Sequence, residues 1–161
     1  MTSQPPPNEG SMRANEVIRI ICKAFAGVRL GGGIGLREGH ALDAYADPAT
    51  CAAVRTRDEK DDWTRLHSGE LNSCHSSLSF FDAEGMRFHL PAFLVATLRG
   101  EYHFDVLFTL EHDSDYARSR FVLLSAEQRH SVRAFLSFCL ASPDFDDART
   151  EIAAALRGFW A

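Results

Sequence analysis

The sequence predicts a mainly α domain (α+β in detail), with amphipathic helices around one core and a small β-hairpin near residues 78–90. Three observations carry this reading. Apolar residues recur at helical spacing in three separate stretches, whereas one short stretch alternates instead. A chain of 161 residues, 45% hydrophobic and 24% charged, is long enough to bury a single core without a disulfide or a metal.

Residues 1–10 hold three prolines among polar residues and have nothing to bury, which predicts a disordered leader before a single globular domain over 11–161. Val17, Ile20, Ile21, Ala24 and Phe25 then form one helical stripe, and Gly27 ends it. Residues 36–45 and 50–63 can each hold helical turns, around Leu42, Tyr45, Val54 and Trp63, with Pro48 between them. Leu78 and Phe80 alternate with Ser79, and Met86, Phe88 and Leu90 alternate with Arg87 and His89, about a turn-like 82–85. This is the expected hairpin. Pro91 follows, and its missing amide and preset φ suit the first position of a helix carrying Phe93, Leu94 and Leu98. Residues 102–110 satisfy both periods and read as helix or irregular chain. Ser125 with Gln128 three residues on has capping-box spacing, which makes Gln128 structural, and the stripe Val132, Phe135, Leu136, Cys139 and Leu140 follows. Ile152, Ala155, Leu156, Phe159 and Trp160 repeat the pattern at the end of the chain.

Seventeen basic against 22 acidic side chains give a net charge of -5, the wrong sign for nucleic-acid backbones or anionic membrane surfaces. The longest apolar run, residues 92–96, is far short of the roughly 18 residues of a membrane span. Cysteines 22, 51, 74 and 139 form no close pair, and the first ten residues lack a signal-peptide pattern. Reduced thiols and a cytoplasmic location are expected.

The segment RFHLPAFL at 87–94, preceded by LSFFDAEGM and followed by the helix start SAEQR at 125–129, resembles a bacterial family of unknown function. Its recurring features are a charged stretch ending in Trp, an aromatic "rFyLPAyl" segment and a late glutamine-bearing helix. They correspond here to Asp58 through Trp63, Phe88 through Leu94, and Gln128, over roughly 36–140, with His89 where the family often carries tyrosine. The resemblance implies no activity and no catalytic residue.

Candidate chemistry is sparse. Gly31, Gly32, Gly33 and Gly35 invite a phosphate-loop reading, but no Gly-Lys-Ser/Thr end follows and the dinucleotide fingerprint fails in each register, so the run reads as a connector whose glycines permit positive φ. Cys74 beside His75 does not make a nucleophile pair, because neighbours on a strand face opposite ways. The EHDSD stretch at 111–115 reads as a solvated loop. No ligand set at metal spacing and no cofactor motif is found.

Two function classes remain. In the leading one the protein is a non-enzymatic accessory or adaptor that binds another protein through an acidic, aromatic surface made of Asp58, Glu59, Asp62 and Trp63. In the alternative it is a small enzyme or ligand-binding protein whose polar pocket gathers His75, Arg87 and His89 from the two strands of the hairpin. Composition leaves the oligomeric state open.

Overall fold

The computed structural model describes residues 12–161, so the expected leader at 1–10 lies outside the described residues. Among the described residues nine α-helices follow one another: α1 (Ala14–Ala24), α2 (Leu36–Asp43), α3 (Pro48–Arg55), α4 (Ser68–Ser73), α5 (Ala83–Leu98), α6 (Leu107–Glu111), α7 (Asp115–Ser119), α8 (Ala126–Ala141) and α9 (Arg149–Arg157). Tighter 3-10 turns occupy Trp63–Arg65, His75–Ser79 and Pro143–Ala148. The described residues contain no strand, and the class is all-α.

The amphipathic stripes form the helices that their spacing requires. Val17 and Ile21 of α1 are buried, and α1 packs on α8, which packs in turn on α9. The capping box is present: Ser125 N donates to Gln128 Oε1 at 3.0 Å and Gln128 N to Ser125 Oγ at 3.1 Å. The Gln128 amide also donates to Ala24 O at 3.2 Å, tying α8 to the end of α1. Gln128 is thus structural, as its spacing indicates. On the other side, α2 packs against α3 and the His75–Ser79 turn.

The expected hairpin is replaced by α5. Asp82 caps this helix, accepting from Gly85 N at 2.8 Å and from Ile34 N at 3.0 Å. From Gly85 to Ala96 every residue except Arg87 is buried. A helix enclosed on all sides has no polar stripe, so its 3.6-residue period is invisible and a chance alternation of Met86, Phe88 and Leu90 looks like a strand. Pro91 accordingly lies inside the helix and not at its start. Having no amide hydrogen, it leaves the Arg87 carbonyl without the usual helical donor.

One further stretch differs from expectation. The helix over 50–63 stops at Arg55, and 58–62 is a loop. Residues 102–110, expected as helix or irregular chain, begin irregularly and end in α6, and within the expected loop at 111–115 the non-helical residues 112–114 join α6 to α7. Trp160 lies beyond the end of α9, yet it is fully buried, with Nε1 donating to Leu110 O at 2.9 Å and Phe121 and Phe159 edge-on to its ring.

Candidate functional site

The acidic run and its tryptophan turn inward. Asp58 is 8% exposed, and its two carboxylate oxygens accept from Arg37 N at 2.7 Å and Glu38 N at 3.2 Å, capping α2 from twenty residues away. Burial pushes this carboxyl up despite those two amides. Trp63 is 5% exposed and donates from Nε1 to Phe25 O at 2.9 Å, so it pins the 63–65 turn to the end of α1. Glu59 accepts from Lys60 N and Asp61 N. Asp62 accepts from Thr64 N and Oγ1, and these bonds hold its carboxyl below the usual range. The four residues are neighbours, but Asp58 and Trp63 hold the fold together and do not present themselves to a partner.

His75, Arg87 and His89 lie in three different places, because the hairpin that was to juxtapose them is absent. His89 is fully buried and stacked on Phe81, ring centroids 4.2 Å apart. Its Nδ1 lies 2.7 Å from Gly85 O, and since a carbonyl only accepts, Nδ1 carries the proton and Nε2 is left buried with no partner. Burial pushes this imidazole down to about 4. Two residues away on the same helix, Arg87 faces elsewhere and lines an open cleft of about 500 Å³ with Glu84 and Gly31.

His75 is exposed and stacks on Phe104, centroids 3.7 Å apart and planes 14° from parallel. Further along, the Tyr116 hydroxyl donates to Ser79 O at 3.0 Å, while the buried Arg120 guanidinium donates to Leu78 O and lies 4.9 Å from the Tyr116 ring centroid. The segment 104–116 is thereby fastened along the His75–Ser79 turn at both ends. Between the fastenings Phe108 stacks on His112 at 5.8 Å. Phe104, Phe108 and Tyr116 are 49%, 64% and 58% exposed, three large aromatics on one stretch of chain that the sequence reading did not single out.

A family model described as a family of unknown function (DUF6714) matches residues 13–161. The chain belongs to that family. Comparison with curated proteins and with solved structures finds no match. The DUF6714 match covers more of the chain than the resemblance over 36–140, reaching from α1 to the buried Trp160.

One more titratable group stands out in this DUF6714 chain. Glu111 lines a cavity of about 270 Å³ with Glu151, and its Oε1 is buried without a partner. Burial, helped by Asp105 and Glu151, pushes this carboxyl up to about 7, so it exchanges a proton near neutrality. Nearby Asp113 is engaged by Arg118 through two bonds of 2.6 and 2.9 Å. The thiols are free but poor nucleophiles where buried: burial pushes Cys74 up and Cys139 up to about 12. Among the described residues no three His, Cys, Asp or Glu side chains converge as metal ligands, and no helix is long and apolar enough to cross a membrane.

Proposed function

We propose that the protein is a non-enzymatic accessory protein that docks onto another protein through the face formed by Phe104, Phe108 and Tyr116. The observation that carries this reading is the exposure of three large rings on one short segment. Scattered exposed apolar residues are ordinary, but grouped aromatics supply rigid contact area at low entropic cost and recur as binding hot spots. Two of the rings are already held, Phe104 by His75 and Tyr116 by Ser79, so little ordering remains to oppose association. The exposed Asp105 and Asp115 are interleaved with them in the sequence. The complementary partner is a protein segment with apolar side chains flanked by basic ones, the acidic residues speeding its approach.

The reading is tested by placing a photo-crosslinking residue at position 108 and, as a control, at the exposed Arg133 of α8, in cells of the native host. Docking through this face gives a defined adduct from position 108 and none from 133. The same adducts from both positions, or none from 108, would contradict it.

A further inference from the structure

The cleft beside the glycine loop is lined by three charged side chains, of which Arg29 pairs with Asp61 at 3.5 Å while Glu84 and Arg87 have unused bonding capacity. It is walled by the segment after α1, by the first turns of α5 and by the start of α8. Arg55 fixes the loop from behind, donating to Gly31 O at 2.9 Å and to Gly33 O at 3.1 and 3.2 Å. Gln128 is held in place, its oxygen accepting from Ser125 N and its nitrogen donating to Ala24 O. Glu84 and Arg87 differ in this respect. Glu84 Oε2 and Arg87 Nε are buried and have no hydrogen-bond partner among the described residues, and neither side chain forms an ion pair there.

Residues three apart on a helix are neighbours, with Cβ atoms roughly 5–6 Å apart, so an acid and a guanidinium at this spacing commonly satisfy each other. Here they do not, and one buried atom of each, Glu84 Oε2 and Arg87 Nε, is left without a bond. The glycine loop is shaped to the carboxylate: a Cβ at Gly31 would stand 3.0 Å from Glu84 Oε2, and Gly31 itself has φ +61°. The Nε–H of an arginine belongs to the edge that grips a carboxylate with two parallel bonds. Ala26 and Val28 supply apolar surface in the same cleft.

We infer that this cleft binds a free α-amino acid with an uncharged side chain, its ammonium on Glu84, its carboxylate on Arg87 and its side chain towards Ala26 and Val28. The two unpaired charges are complementary to a zwitterion and to neither a simple amine nor a simple acid. Binding in this way requires both side chains to turn towards the cleft, since Glu84 Oε2 and Arg87 Nε are enclosed in the free protein. Nothing in this inference depends on the aromatic face.

The test is titration calorimetry of the full chain with each uncharged proteinogenic L-amino acid, and with the N-acetyl and methyl ester derivatives of whichever binds. The inference predicts that at least one amino acid binds and that either derivative binds at least tenfold more weakly. It also predicts that Glu84→Gln and Arg87→Gln each weaken binding at least tenfold without lowering the melting temperature of the free protein. Phe108→Ser leaves the affinity unchanged. Absence of binding by every amino acid tested, or undiminished binding of the ester or by Arg87→Gln, would overturn the inference. So would a double-mutant cycle in which Glu84 and Arg87 stabilise the free protein jointly, since the two would then be an internal pair.

Discussion

The ring of Phe104 lies flat on the imidazole of His75, fixing an aromatic that is still half exposed to solvent. Such a contact contributes modestly to folding, because aromatic pairs add about 0.5–1.5 kcal/mol beyond their buried area. Phe104→Ala is expected to lower stability by about 1 kcal/mol, and Phe108→Ala, whose ring is more exposed, by less than about 0.5 kcal/mol. Urea midpoints of the two variants check this. A large loss from Phe108→Ala would mean that the ring serves the core and not a partner.

Asp58 holds the start of α2 by its side chain alone, across twenty residues of sequence. Asp58→Ala is expected to cost about 1–2 kcal/mol, the upper range for lost caps, because two half-buried amides lose their acceptor together. Asp58→Lys should cost more, since it puts a cation beside the positive end of the helix. Glu59→Lys, whose partners are local, should change the denaturation midpoint little.

Gly33 is required for space and not for flexibility. A Cβ there would stand 2.6 Å from Gly85 N and 2.8 Å from Glu84 Cβ, so the loop and the first turn of α5 would have to separate. Gly33→Ala is expected to lose about 2 kcal/mol, within the usual range for overpacking. Gly69→Ala, which meets nothing within 4 Å, serves as the control and should be neutral or stabilising. Thermal denaturation of both variants provides the comparison.

Two groups give stability opposite dependences on pH. His89 titrates at about 4 in the fold and ordinarily at 6.5, so the unfolded chain takes up the proton first. Its contribution is complete above pH 6.5 and is lost as the pH falls towards 4, on the order of 3 kcal/mol over the full span. Glu111 titrates at about 7 in the fold and ordinarily at 4.5, so the folded protein takes up the proton first and gains stability as the pH falls from 7 towards 4.5. Between 4.5 and 6.5 the two oppose each other. Relative to the unmodified chain, Glu111→Gln should lose more stability between pH 7 and pH 5, and His89→Phe should lose less. Urea titrations at the two pH values give the differences directly.

What the sequence made legible follows from where each helix lies. α1, α8 and α9 each bury one side, so their stripes are visible, and Ser125 and Gln128 announce a cap within three residues. α5 is buried all round and carries an internal proline, two features that erase the local helical signal. α6 and α7 are five residues long, too short for a stripe. The site was less legible still. Asp58 looked like one charge in a solvated run because a cap twenty residues away leaves no local pattern. The glycine run drew notice for its φ angles, yet among Gly31, Gly32, Gly33 and Gly35 only Gly31 has φ above zero. Gly33 and Gly35 are there for close packing, which only the tertiary fold reveals. Phe104 and Phe108 fall at helical spacing, but spacing alone does not say which rings remain outside.

The most direct measurement is affinity capture from a lysate of the native host with the unmodified chain and with the Phe104→Ser, Phe108→Ser variant side by side, each first shown to be folded. Docking through the aromatic face predicts a partner held by the unmodified chain, retained by Arg87→Gln and lost at least tenfold from the double variant. It also predicts slower association as salt is raised, because the acidic side chains around the rings are screened. Equal recovery of the same partner by the double variant, or no partner for the unmodified chain, would contradict the account.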